Sequence, residues 1–369
     1  MQVFNHQPRQ VGKTVQRRIN ALGIGEKMQD LPEELWHESF RYYVKEDLNR
    51  KGGPNLRMIR LEPDKPSLTV TGYIFNKFVH PFENRFITPR EAARLQGFPD
   101  EIEFKGTLSS VQRQIGDAVP LEMGEAIFAS VLKTIKQYQP SQKKFLALSL
   151  FSGAGGFDIA LERVQSPDGS RFITVGCIEV DKDRCKTLNG YFGHRVNIFN
   201  NDISTLKAAE ILADCSIEPQ DISLVYGGPP CQSFSQAGKQ KGIGDPRGVL
   251  IFEFLRFIDE IKPPYFVMEN VRNLKGIARG RLLTDIVKEA ETIGYDVNYA
   301  VLNSAHYGNA QKRKRLIFLG SRRNVQPKLS FPTPTHSDKP GFFTKPYKTV
   351  QEAFSGLPIP DYEPIALSD

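Results

Sequence analysis

The sequence predicts an α/β protein: a doubly wound, mostly parallel Rossmann-like sheet accompanied by a smaller, irregular domain. Three observations carry that expectation. Residues 145–151, 172–178, 222–226 and 265–268 are continuous apolar runs of strand length, as in strands covered on both faces. Helical segments separate them, 249–261 being the plainest. The first run ends in a glycine-rich turn, Phe151-Ser-Gly-Ala-Gly-Gly156, at the carboxyl edge where such sheets bind ligands.

The remaining elements follow in order. Residues 1–88 are rich in Arg, Pro and Gly and read as loop-like. Thr88 then caps a helix with Pro89 at its first position and Glu91 completing a capping box, and Gly97 stops it after Gln96. A longer helical pattern runs over 121–138, and 139–144 reads as a linker into the first strand. Late in the chain, 297–302 and 315–319 read as a hairpin with a short connection, and the tail 326–369 as an irregular excursion. The division expected is a small domain of 1–115 completed by 341–369, and a larger domain of 116–340.

Composition narrows the class. No run of 18 apolar residues is present, which excludes a transmembrane helix, and the first residues lack an export signal, so a cytoplasmic location is expected. The four cysteines, Cys177, Cys185, Cys215 and Cys231, show no zinc-binding spacing; no metal is expected, and reduced thiols are. The net charge of +7 suits a polyanionic partner, with basic clusters in 1–60 and at 312–323.

Two groups of residues carry chemistry. In Gly153-x-Gly155-x-x-Asp158 the third glycine of a dinucleotide fingerprint is missing, which favours a cradle for a smaller nucleoside. Glu179, 24 residues after Gly155, is placed to accept ribose hydroxyls, and Asp202 is expected at the end of the third strand, within reach of an adenine amine. After the fourth strand comes Gly227-Gly-Pro-Pro-Cys-Gln-Ser-Phe-Ser235, a cysteine on a proline-stiffened loop, where Cys231 is a candidate nucleophile. At the end of the next strand, Glu269 is a candidate proton donor, its basicity raised by partial desolvation.

These residues resemble the cytosine-5 DNA methyltransferase family. Gly-Gly-Pro-Pro-Cys-Gln, the Glu269-Asn-Val that follows Cys231 by 38 residues, and Gln311-Lys-Arg-Lys-Arg315 match its catalytic motifs. Phe151-Ser-Gly-Ala-Gly-Gly-Phe157 matches its methyl-donor motif. Arg90-Glu-Ala-Ala-Arg-Leu-Gln-Gly-Phe-Pro-Asp100 and Gln114-Ile-Gly-Asp-Ala-Val-Pro120 match its last two.

The resemblance implies transfer of methyl from S-adenosylmethionine to carbon 5 of a cytosine flipped out of duplex DNA, through a covalent Cys231 adduct. It implies that Glu269 holds the base, that Arg313 and Arg315 hold its oxygen and order the catalytic loop, and that Gln232 and Ser235 contact DNA. The methyl-donor pocket would take Phe151, Gly153, Gly155, Gly156, Glu179, Asp202, Pro230 and Leu250. Asp117 replaces the usual Asn of the last motif. The last two motifs here precede the first, so the segments are expected to be circularly permuted, with 1–88 as a recognition region across a cleft from the sheet. Arg57, Arg60, Lys65 and Thr69 are its expected DNA contacts. A monomer is expected, associated with the nucleoid through DNA and paired with a restriction endonuclease of the same site. A transfer-RNA methyltransferase, a non-catalytic DNA-binding regulator and a nicotinamide dehydrogenase remain the alternatives.

Overall fold

Local sequence determines where helices start, and burial determines which of them persist. In the computed structural model, which describes residues 3–47, 58–72, 77–230 and 249–360, the chain divides into two units. One comprises 1–117, 310–312 and 347–369; the other comprises 118–309 and 313–346.

The first unit is more regular than residues 1–88 suggested. It holds α1 (Lys13–Ala21), α2 (Glu38–Lys45) and a two-residue parallel pair, β1 (Ile59–Arg60) with β2 (Phe78–Val79). Both helices are short and mostly polar, and each buries one residue, Ile19 or Phe40. Such sparse apolar spacing reads as loop, which is why they were missed. α3 (Pro89–Leu95) forms as expected: the Thr88 hydroxyl accepts from Glu91 N at 3.1 Å, and Glu91 Oε2 accepts from Thr88 N at 2.7 Å. The cap is worth about 1 kcal/mol. α4 (Leu108–Asp117) was also missed; its core face is only Val111, Gln114 and Ile115 beside Ser110 and Gly116. Gln311 ties three motifs of this unit together. Its Nε2 donates to Gln96 Oε1 at 2.6 Å and Leu95 O at 3.0 Å, its Oε1 accepts from Val70 N at 3.0 Å, and Gln96 Nε2 donates to Ile115 O at 2.6 Å.

The second unit starts with α5 (Leu121–Tyr138) and a seven-stranded sheet. In chain order its elements are β3 (Lys144–Leu150), α6 (Gly156–Arg163), β4 (Arg171–Ile178), α7 (Lys182–Phe192), β5 (Asn197–Phe199) and α8 (Ala208–Asp214). There follow β6 (Ile222–Gly227), α9 (Val249–Ile261), β7 (Tyr265–Val271), α10 (Arg281–Thr292), β8 (Tyr295–Asn303) and β9 (Lys314–Arg322). The strand order is β5-β4-β3-β6-β7-β9-β8, with β9 antiparallel to both neighbours and all other pairs parallel. The expected doubly wound, mostly parallel sheet is present. The β8–β9 hairpin is present too, but ten residues, 304–313, connect its strands rather than a short turn. β10 (His336–Ser337) pairs with β11 (Lys345–Pro346), and α11 (Val350–Phe354) belongs to the first unit.

Continuous apolar strands sit where both faces are covered: every residue of β6 and six of the seven in β7 are buried. The core joins Leu148, Val225, Phe254, Phe266 and Phe318, each of which gains about 1.5–3 kcal/mol on burial. The strand order reverses between β3 and β6, which leaves a crevice at their carboxyl ends. There the backbones are tight: a Cβ on Gly227 would lie 1.9 Å from Leu150 O. Gly227→Ala is therefore expected to destabilise the protein by about 3 kcal/mol in urea unfolding. Gly190 in α7 has no neighbour within 4 Å of a built Cβ, and Gly190→Ala is expected to stabilise by about 0.5–1 kcal/mol. Equal effects at the two positions would contradict the packing described.

Candidate active site

The crevice is lined from two sides. After β3 the chain turns through three left-handed positions, Phe151 (φ 56°), Gly153 (φ 60°) and Gly155 (φ 86°). Phe151 is a non-glycine residue in that region, a strain of order 1–3 kcal/mol that is characteristic of functional sites. Gly155 caps α6, and the space where a side chain on Gly153 would stand is open. Glu179, one residue past β4, is buried; its Oε2 accepts from Gly153 N at 2.8 Å and its Oε1 from Asp181 N at 2.9 Å. Each oxygen keeps a lone pair for a further donor.

Asp202 stands three residues beyond β5, not at its end as expected, and is exposed. Its Oδ1 accepts from Ser204 N and Oγ, at 3.0 and 2.8 Å, and its Oδ2 takes no hydrogen bond among the described residues. Two carboxylates that retain acceptor capacity, beside a glycine-rich turn, have the chemistry to hold the hydroxyls and amine of an adenosine group. Gly156 is buried in the same turn, and Pro230 and Leu250 are half-buried on either side of 231–248. Val180, 63% exposed beside Glu179, is an apolar side chain presented to solvent that sequence reading passed over.

The second side is built by β7. Glu269 lies inside that strand, two residues before its end, not at its terminus as expected. Its carboxylate is about nine-tenths buried and forms an ion pair with Arg315, Nε to Oε1 at 2.6 Å. In the ladder Val271 faces Arg315 and Glu269 faces Ile317, so the two charged side chains are diagonal neighbours on one face. A Cβ on Gly228 would lie 3.0 Å from Glu269 Oε2, so the glycine leaves room for the carboxylate. Asn270, to which no role had been assigned, donates Nδ2 to Pro229 O at 2.9 Å while buried, fastening the Pro-Pro segment to β7. A polar residue inside an apolar strand was the available signal. Arg313 is buried, its backbone N donating to Ser304 Oγ at 3.2 Å.

Cys231, Gln232, Ser235 and Arg57 lie outside the described residues. In the first unit, the Thr69 hydroxyl donates to Lys312 O at 2.9 Å, Lys65 is exposed and paired with Glu62, and Asp117 is exposed at the end of α4. Arg60 does not fit its expected role as a DNA contact. It is 5% exposed, and its guanidinium donates to Ile19 O, Leu22 O, His80 O, Glu83 O and Asn84 Oδ1 at 2.6–2.9 Å. All of its donor capacity holds the unit together.

A family model of C-5 cytosine-specific DNA methylases matches residues 3–133 and 145–358. The chain belongs to that family, the S-adenosylmethionine-dependent DNA cytosine-5 methyltransferases. It is similar to the Type II methyltransferase M.AquIA of Picosynechococcus sp., 40% identical over 232 residues that cover 57% of this chain and 88% of that one. It is 36% identical over 188 residues to the Type II methyltransferase M.FnuDI of Fusobacterium nucleatum, covering 51% of this chain and 50% of the relative. It thus spans about half the length of M.FnuDI and of M1.HphI of Haemophilus parahaemolyticus. A solved structure described as a DNA modification methyltransferase encoded within an E. coli prophage aligns with 26% identity and a TM-score of 0.47, covering 58% of this chain and 55% of that one.

The thiols can be told apart by their surroundings. Burial, then the Asp158 charge, raises Cys177 well above the usual thiol range; burial, then Glu179, pushes Cys185 up to about 12; burial raises Cys215. A raised pKa keeps the thiol protonated until the pH approaches it, and the thiolate is the reactive form. At pH 8 iodoacetamide is expected to modify Cys231 first, and Cys231→Ser to abolish the fast phase, as read by peptide mass spectrometry. Equally fast labelling of Cys177 or Cys185 would refute this assignment.

Proposed function

We propose that this chain methylates carbon 5 of cytosine within a short duplex DNA sequence, as the modification member of a restriction-modification pair. We further propose that the residues named above carry the reaction, with the family's segments in permuted order. The observation that carries the reading is the Glu269–Arg315 pair, set beside Gly228 at the base of the Gly-Gly-Pro-Pro-Cys segment. The printed names of the relatives, Type II methyltransferases, support the biological setting. The permutation is supported by the order of the motifs along the chain.

In this mechanism the target base leaves the stack, at a cost of a few kcal/mol. Cys231, as thiolate, forms a bond from sulfur to carbon 6, and the ring's electron pair moves to carbon 5, which becomes nucleophilic. Glu269 holds ring nitrogen 3 and the exocyclic amine and steadies the charge that develops there. Arg315 keeps that carboxylate oriented, and Arg313 orders the neighbouring loop and holds the base oxygen. S-adenosylmethionine supplies an electrophilic methyl group and a neutral thioether leaving group when bound. A base then removes the carbon-5 proton, the carbon 6–sulfur bond breaks, and Cys231 is regenerated.

Glu179 is assigned to the ribose hydroxyls and Asp202 to the adenine amine, with Phe151, Gly153, Gly155, Gly156, Pro230 and Leu250 shaping the pocket. Asp117 stands where the family has an amide, so any contact it makes there can only accept. Thr69, Arg57, Gln232 and Ser235 are assigned to the DNA. The small unit, 1–115 with 341–369, is assigned to target recognition, and 116–340 to cofactor and catalysis.

Incubation with labelled S-adenosylmethionine and unmethylated bacterial DNA, followed by bisulfite sequencing, tests the proposal. Wild type is expected to label DNA within one short sequence, Cys231→Ser to fall to background, and Glu269→Gln to lose about 10²-fold or more. Labelling of transfer RNA alone, or full activity in Cys231→Ser, would overturn it.

A further inference from the structure

Beyond the crevice, the second unit contains an open cavity of about 980 Å³ that the mechanism does not use. It borders on the reacting edge of the sheet. Arg272, in its wall, follows Val271, the β7 residue that faces Arg315. Glu269 lies three residues earlier, about 10 Å along an extended chain. Lys314, also in its wall, adjoins Arg315 and faces Asn303 in the ladder.

Among the described residues the lining has one sign of charge: Arg272, Lys275 and Lys314 line the cavity with His306, and no carboxylate does. All three side chains belong to exposed residues. Among the described residues Arg272 and Lys314 form no ion pair, and Lys275 makes only a cation–π contact, 5.7 Å from the Tyr299 ring centroid. Several other surface cations of this unit are neutralised: Lys136 and Lys143 share Asp168, Arg195 meets Glu162, Arg256 meets Glu253 and Glu260, and Lys328 meets Asp296. Three uncompensated cations around one hollow repel one another unless an anion lies among them. The apolar remainder of the wall, including Val301, Tyr307 and Pro332, gives no charge to oppose an anion and suits the sugar faces between phosphates.

We infer that this cavity is a phosphodiester-binding site: Arg272, Lys275 and Lys314 hold the DNA backbone flanking the cytosine that Glu269 receives. The inference rests on the DNA methyltransferase reading above and adds to it a contact surface to which no role has been assigned. A strand running past Glu269 must carry its neighbouring phosphates within a nucleotide or two of the base, the span that separates Glu269 from Arg272. Backbone contacts of this kind fix register and orientation and carry no sequence information.

The test is the salt dependence of DNA binding by the full chain. Each phosphate contact contributes about 0.9 to the slope of log K against log salt. The triple variant Arg272→Gln, Lys275→Gln, Lys314→Gln is expected to lower that slope by about 2–3 and to raise the KM for DNA at least 10-fold at moderate salt, leaving the KM for S-adenosylmethionine unchanged. A matched variant at the opposite, amino-terminal edge of the sheet, Lys143→Gln, Lys144→Gln, Arg171→Gln, removes the same charge and is expected to leave the slope within about 0.5 of wild type. Equal slopes in the two triple variants would overturn the inference. So would inorganic phosphate protecting the wild type against thermal unfolding, but not the Arg272 triple variant, with no change in DNA slope; the cavity would then hold a small anion. Wild-type protein that neither binds nor methylates duplex DNA would refute the parent reading itself, a distinct result.

Discussion

A carboxylate that is nine-tenths buried at the edge of an apolar sheet requires a charged partner, and the Glu269–Arg315 pair supplies it. Removing one member of such a pair leaves a buried charge uncompensated, typically at 3–5 kcal/mol. The pair also explains a topological detail. In a wholly parallel sheet the strand beside β7 would start at the amino edge, far from the reacting end. Because β9 runs antiparallel, its first residues arrive at the carboxyl edge, where Arg315 lies diagonal to Glu269. The reversed strand thus brings a cation to Glu269.

The rest of the site follows from backbone approach. Gly227 lies against Leu150 at the switch point, Gly228 against Glu269, and the turn after β3 passes through left-handed conformations at Phe151, Gly153 and Gly155. Glu179 then fastens that turn to the end of β4 through Gly153 N. Asn270 does the equivalent for the Pro-Pro segment. Two buried polar side chains therefore position the two loops, so that neither loop depends on its own sequence alone for its shape.

The sheet was legible because strands covered on both faces must be apolar throughout; β6 and α5 appear within a residue of where their patterns lie, and β7 starts where its pattern does and runs three residues further, through Glu269. The capping box at Thr88 was legible because its three residue types have one common use. α1, α2 and α4 were not legible, since each buries so few apolar residues that its periodicity stays below recognition. Arg60 misled for a related reason: a guanidinium in a basic, glycine-rich stretch suggests phosphate, and only the fold shows five acceptors converging on it. Asp202 was placed too near its strand because β5 is three residues long and ends early. The cavity beside Arg272 brings together residues from 272 to 334, and no local pattern encodes that proximity.

The central claim is that Cys231 bonds to carbon 6 of a cytosine held by Glu269. A duplex carrying 5-fluorocytosine at the methylated position tests it most directly, because no base can remove fluorine as it would the proton, and the adduct cannot resolve. With S-adenosylmethionine present, the account predicts a denaturation-stable protein–DNA complex whose cross-linked peptide contains Cys231, and none in Cys231→Ser. A cross-link at another residue, or no adduct from protein that methylates ordinary cytosine in the same duplex, would contradict it.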